Sequence, residues 1–262
     1  MARIGPSLRA VARALAGFAP ILVLLLAWEA IARSGTVTAY MLPPLSAVIA
    51  RIARDAATGD LAVSVALTLY RALTGFAIAA VGGIALGLAM SRKVGVRWFF
   101  DPLISVGFPM PKIAFLPIMV LWLGFYDVSK ISMVVFDAIF PVVTATIAGI
   151  AGIEREVIWS ARNLGARDRE LLWQVMLPAA LPQIMTGLQV ALPIALIVAI
   201  VAEMMMGGYG IGGAMITVSR FADSRGVFAG IVEIAVIGYA LVKGMALLRR
   251  HLLAWHAEAS DQ

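Results

Sequence analysis

The sequence contains no cysteine, only two histidines, and just 14% charged residues across its 262 positions. Without cysteine there is no disulfide framework, thiolate nucleophile or thiolate metal site. His251 and His256 both lie in the polar C-terminal tail. That removes most ways of building a histidine-based catalytic or metal centre inside an apolar interior, so no catalytic or metal-binding residue is assigned. No G-x-x-x-x-G-K-[ST] phosphate loop occurs in the chain, and ATP, if it drives this protein, must bind another subunit. The scarcity of charge excludes an ordinary soluble domain. Such domains are about 45–50% apolar and about 25% charged, whereas this chain is 62% hydrophobic with a mean hydropathy of +0.96. The excess apolar surface needs lipid as its solvent. The +6 net charge reads as membrane topology and not as nucleic-acid binding, because the basic residues flank apolar runs.

A membrane span needs about 20 mostly apolar residues. Six stretches meet that length, at Leu15–Ala32, Tyr70–Met90, Leu103–Phe125, Val128–Ile150, Met185–Met206 and Val227–Leu248. The first imitates a signal peptide, with Ala30-Ile31-Ala32 as a mock cleavage site, but its apolar core is long and Trp28 suits an interfacial anchor. It is therefore expected as a retained helix. Lys and Arg set the orientation. Thirteen of them fall on one side, including Arg92, Lys93, Arg97, Arg155, Arg162, Arg167, Arg169, Lys243, Arg249 and Arg250. Seven fall on the other: Arg33, Arg51, Arg54, Arg71, Lys130, Arg220 and Arg225. Both termini and the loop 154–182 are thus expected in the cytoplasm. On the outer side, residues 44–58 have helical periodicity, with Leu45, Val48, Ile49, Ile52, Ala53 and Ala56 on one face and Arg51, Arg54 and Asp55 opposite. Pro43-Pro44 starts this segment and Gly59 ends it, as suits an interfacial helix on the outer leaflet.

The longest cytoplasmic loop holds a helix-like run that ends at Gly165, a natural C-terminal cap. A second short helix over Ala166–Met176 is expected to stop before the next span, at Pro178 and Pro182. Two short helices joined by a Gly turn make a compact protrusion that can dock in a groove of a soluble partner, with Ala161, Leu164 and Ala166 as apolar contacts. The spacing is specific. Trp159-Ser160-Ala161, three residues, Gly165, nine residues, then Val175-Met176-Leu177-Pro178 resembles the "EAA" motif of the permease subunits of ATP-binding-cassette (ABC) importers. In that family the loop is the coupling helix, which enters a cleft of the ATPase. Trp159 and Ser160 stand where the motif has Glu and Ala, so an ion pair from that Glu to the ATPase is lost while the helix–Gly–helix geometry is kept. Other stretches resemble the sulfonate/taurine/nitrate-type branch: Thr68-Leu-Tyr-Arg71-Ala-Leu-Thr-Gly75-Phe76, Pro111-Lys112-Ile-Ala114-Phe-Leu-Pro117 followed by Leu121-Trp122-Leu-Gly124, and Ala202-Glu203-Met204.

The resemblance implies one transmembrane permease domain over 1–262, with six helices in the MetI-like ABC importer permease fold. It implies a homodimer with the pathway between its copies, two ATPase subunits carrying ATP and Mg, and a periplasmic binding protein that delivers the solute. The chain would sit in the bacterial inner membrane, bind no cofactor itself and make no bonds. Its solute would be a small, mostly anionic molecule such as an alkanesulfonate, taurine or nitrate. A self-sufficient ion-coupled transporter is the alternative, but no matching second half of an inverted repeat is visible.

Within hydrocarbon, irregular backbone survives only where protein or a water-filled cavity surrounds it. Pro109, Pro111 and Pro117 each lack an amide donor, so Phe108–Pro117 is either part of the translocation pathway or a kinked packing helix. Lys112 lies roughly 16 Å along an ideal helix from Asp101, near mid-bilayer. It either attracts an anionic solute or pairs with Asp137 on the next span. Glu203, beside Met204–Met206, reads as an interfacial carboxylate or a gate. Gly83-x-x-x-Gly87 fits close helix packing. Gly207-Gly-Tyr-Gly-Ile-Gly-Gly213 lacks the Lys-Ser/Thr of a nucleotide cradle and reads as a flexible outer loop.

Overall fold

The computed structural model describes residues 6–254, with side chains described from residue 19 onward. Among the described residues the fold is all α-helical. It divides into two compact units, one formed by residues up to Ala62 together with Met215–Glu233, the other by Val63–Ala214 with the chain from Ile234 onward.

In the first unit, α1 (Pro6–Arg33) and α2 (Leu45–Thr58) are joined by an extended turn. Only its second half has described side chains, and there Ile21, Leu22, Val23, Leu24 and Leu26 are all more than half exposed, as a lipid-facing helix requires. The expected first span lies within α1, its side chains described from residue 19 onward, while His256 lies outside the described residues. Trp28 donates its indole N–H to Pro43 O at 2.9 Å and its ring meets Phe228 at 5.5 Å. The ends of α2 fall at Pro44 and at Gly59, whose φ of 86° stops the helix in a left-handed cap.

The faces of α2 differ from expectation. Val48 is fully buried, but Ile49 is 55% exposed, and Arg51 and Asp55 are half-buried on the inner side. The cause is Asp223, in the turn between α10 (Ile211–Arg220) and α11 (Ser224–Leu252), which gives Arg51 a second carboxylate besides Asp55. Hydrogen bonding to Asp55 raises the affinity of Arg51 for its proton against partial burial. Burial pushes the Asp223 carboxyl up, but the Gly226 N–H and Arg51 outweigh it and hold the group below the usual carboxylate range.

The second unit is built on α3 (Asp60–Arg92), α6 (Asp127–Ala151) and α9 (Leu177–Met206). Small residues let these helices approach. A Cβ on Gly75, Gly83 or Gly87 of α3 would stand 2.5, 2.8 or 2.6 Å from Val134, Val142 or Thr146 of α6, well inside contact distance. Close packing is thus what the Gly83–Gly87 pair provides. Between α6 and α9 the same holds at Gly187, whose Cβ would stand 2.4 Å from Ala145.

Four helices among the described residues are long and apolar enough to cross a membrane: Asp60–Arg92, Asp127–Ala151, Asp168–Met206 and Ser224–Leu252. A bent pair makes a fifth. Val94–Gly107 (α4) and Lys112–Leu123, the latter a 3₁₀ turn (Lys112–Phe115) followed by α5 (Leu116–Leu123), meet at 100°. The break falls at Phe108–Pro111, where two of the three expected prolines remove amide donors. The described residues thus give four such helices, or five with the bent pair, which stands at the expected third span.

The expected stop at Pro178 and Pro182 is also corrected. Helix runs without interruption from α8 (Asp168–Glu170) through a π-helical turn (Leu171–Met176) into α9. Pro178 has no N–H for the carbonyl of Gln174, and the wider π turn just before it absorbs the mismatch.

Candidate functional site

The loop ahead of α9 forms a protrusion whose turn is fixed by one residue. Helix α7 (Arg155–Asn163) ends when Gly165 takes φ +87°. Ala166 N–H then reaches back to Ala161 O at 3.0 Å and Gly165 N–H to Arg162 O at 2.9 Å, the pairing of a Schellman cap. Glu170 restarts the chain by accepting the Arg167 N–H at 2.8 Å. Half-buried Ala161 and Ala166 close the inside of the turn, while Leu164 at its tip is 88% exposed and Trp159 57% exposed. Ser160, Gly165 and Pro178 are exposed and Leu177 is half-buried. The residues singled out from the sequence therefore share one protrusion. Trp173 on the π turn is 56% exposed and carries no spacing signal of its own.

At the broken span, Lys112 is brought to Asp137. Its ammonium lies 3.0 Å from Asp137 Oδ1, donates to Phe108 O at 3.0 Å, and sits 4.8 Å from the centre of the Phe140 ring. A nearly buried cation thus has a carboxylate, a freed carbonyl and a π face around it, which offsets its desolvation. Phe108 is half exposed, and Pro109, Pro111 and Pro117 lie on the exposed side of the break.

Glu203 does not join them. No hydrogen bond or ion pair links it to Lys112 or Asp137, and its side chain is fully buried within the protein. Its carboxylate pairs with Arg71 Nη1 at 2.6 Å and accepts from Thr68 Oγ1 at 2.9 Å and from Gly212 N–H at 3.0 Å. Arg71 also pairs with Asp127 at 2.8 Å and donates to Tyr209 O at 2.6 Å, while Thr68 Oγ1 accepts the Ile211 N–H at 3.0 Å. Lys130 donates to Gly207 O at 3.0 Å. Together these bonds pin the Gly207–Gly213 segment, which was expected to be flexible. A Cβ on Gly210 would lie 2.4 Å from Glu203 Cδ, and one on Gly212 would lie 2.3 Å from Ile200 O. The glycines serve close approach. The Thr68 hydroxyl, the Gly212 N–H and the Arg71 guanidinium close around the Glu203 carboxylate as a clasp.

Residues 79–253 match the family described as "binding-protein-dependent transport system inner membrane component". The chain belongs to this family. It is 32% identical over 241 residues to the taurine transport system permease protein TauC of Escherichia coli, covering 90% of this chain and 88% of that one. It is 32% identical to the putative aliphatic sulfonates transport permease protein SsuC of Bacillus subtilis (89% and 84% covered). It is also 31% identical to the formylaminopyrimidine transport permease protein ThiX of Halalkalibacterium halodurans (89% and 93%). The fold is shared with the inward-facing MetNI methionine ABC transporter, at TM-score 0.62 and 15% identity over 74% of this chain and 95% of that one. An amino acid ABC transporter gives a TM-score of 0.61 at 16% identity, with 76% and 94% covered. The permease is thus a multi-pass inner-membrane subunit of an ABC importer, a family that works with an ATPase subunit and a binding protein.

Proposed function

We propose that this permease carries a small anionic solute of the sulfonate type and that its α7–Gly165–α8 protrusion is where the ATPase docks. The single observation that carries the docking reading is the Schellman turn at Gly165, which lifts Leu164 clear of the protein. An isolated, almost bare leucine at the tip of a rigid cytoplasmic turn is an anchor without a pocket. Two copies of the chain form the pathway between them, and each docks one ATPase subunit that holds ATP and Mg. Both termini face the cytoplasm. Arg71 and Lys130 are buried and bonded within the protein, so removing them from the outer charges strengthens the asymmetry that supports this orientation. The solute class rests on similarity to TauC and SsuC. Lys112, Asp137 and Phe108, at the only sharply bent span among the described residues, line the pathway, together with Pro109, Pro111 and Pro117; Glu203 acts from its clasp. A binding protein presents the solute at the outer side.

The test is affinity purification of the tagged chain from native membranes in mild detergent, followed by mass spectrometry and an ATPase assay. A stoichiometric soluble ATPase is expected with the wild type and lost with Gly165→Trp. That variant keeps the permease in the membrane, because no atom lies within 4 Å of a Cβ at this position, yet strains the left-handed turn. Recovery of the chain alone, in several detergents, would refute the reading.

A further inference from the structure

Trp159 is displayed where a soluble helix would carry a polar residue. In α7 the half-buried Ile158 and Ala161 mark the face turned towards protein. Trp159 projects about 130° from that direction on a helical wheel, beside Glu156, Ser160 and Asn163. It is 57% exposed, and among the described residues its ring stacks on nothing and its indole N–H has no partner. Packing within the chain therefore does not explain it. A large aromatic held out from a rigid helix loses little freedom on binding and gains much by burial, which is why tryptophan is enriched among the few residues that dominate interfaces.

The surrounding charge identifies the kind of surface it meets. Between Glu154 and Glu170 four arginines (Arg155, Arg162, Arg167, Arg169) are balanced by four carboxylates (Glu154, Glu156, Asp168, Glu170). An anionic lipid surface calls for net positive charge around an aromatic anchor, and this segment has none. A protein pocket with an apolar floor and a mixed-charge rim fits instead.

We infer that Trp159 is the aromatic anchor by which this permease selects its own ATPase, seated in an apolar pocket of that subunit. The inference rests on the docking reading above. Its consequence is reciprocal. An ATPase whose cleft presents a cation for an acidic residue at this position leaves that cation unpaired against Trp159, and is rejected by the cost of burying it.

The experiment uses the full-length permease in nanodiscs and the ATPase that copurifies with it. Trp159→Ala is expected to weaken ATPase binding about thirtyfold, in the range of an interface hot spot, while Trp159→Phe stays within about threefold and Trp159→Glu loses at least as much as Trp159→Ala. Trp159 emission, taken as wild type minus Trp159→Phe, should shift to the blue when ATPase is added. Brominated phosphatidylcholine in the disc should not quench it. Binding by Trp159→Ala within about twofold of wild type would overturn the proposal. So would emission that brominated lipid quenches and ATPase leaves unmoved, which assigns the side chain to the membrane. Failure of the ATPase to bind the wild type, or equal binding by Gly165→Trp, would instead overturn the docking reading.

Discussion

Removing either side of the Arg71–Glu203 pair should destabilise the permease more than any surface substitution, and removing both should cost less than the sum. Both side chains are almost wholly enclosed, 5% and 0% exposed, at 2.6 Å. Taking away one partner of such a pair costs about 3–5 kcal/mol, because the remaining charge stays buried without compensation. Glu203→Met belongs at the lower end, since Asp127, itself 45% exposed, still faces Arg71. Arg71→Met belongs at the upper end. It leaves Glu203 with Thr68 and the Gly212 N–H but no cation bonded to it. Contacting residues couple by about 0.5–3 kcal/mol, and a pair this enclosed should reach about 2–3 kcal/mol of that range. The assay is a double-mutant cycle on the purified protein, unfolded from mild detergent by dodecyl sulfate and followed by circular dichroism. A coupling energy below about 0.5 kcal/mol, the scatter of independent sites, would refute the claim that these bonds act as one clasp.

Lys112→Met and Asp137→Asn should each lower the amount of folded permease in membranes, by the roughly 3–5 kcal/mol of a broken buried pair. The double substitution should restore it, as read by blotting and gel filtration. Uptake that stays absent in the well-assembled double variant would give the pair a role in the pathway beyond structure. Gly83→Val should force α3 and α6 apart, since its Cβ alone would stand 2.8 Å from Val142, at about 1–3 kcal/mol or more. Gly95→Ala, where nothing lies within 4 Å, should leave the unfolding midpoint unchanged or slightly raised. Equal effects of the two would refute the packing argument.

The spans and the broken helix were legible because both depend on chemistry that is local in sequence. Twenty apolar residues in a row leave no aqueous alternative, and Pro109 and Pro111 delete amide donors wherever they stand. The turn at Gly165 was legible for the same reason, since one glycine at a fixed distance from a helix end determines it. The Glu203 clasp was not legible, because its partners Thr68 and Arg71 are 135 and 132 residues away. Arg71 stands at the edge of an apolar run, where a hydropathy reading assigns every cation to the loop. A signal did exist. Thr68, Arg71, Ala72, Gly75, Ala79, Gly83 and Gly87 recur at three- and four-residue intervals and are all buried. A stripe of small residues at helical spacing marks the face turned to protein, and Arg71 lies on that stripe. The prolines after the Gly165 turn misled for the opposite reason. Continuing the helix keeps most of the backbone hydrogen-bonded and loses only the bond that Pro178 cannot make, so a π turn is cheaper than a stop.

The same continuity bears on how motion would cross the membrane. Helix α9 has 30 residues, about 45 Å of rise, and nothing in it breaks despite Pro182 and Pro193. At one end it begins in the π turn against which α7 packs. At the other it carries Glu203, bonded to α3 and to the Gly207–Gly213 segment. Between the two, Gly187 lets it lie against Pro141 and Ala145 of α6 too closely for either helix to slide alone. Packed interiors shift as bodies and not by continuous deformation. A displacement delivered at α7 must therefore either move α3, α6 and α9 together or be absorbed in the π turn, the one irregular stretch along that route. The double-mutant cycle bears on the same point: a clasp that is energetically coupled fixes the far end of α9 to α3, and only then would a movement of the protrusion be carried to that end.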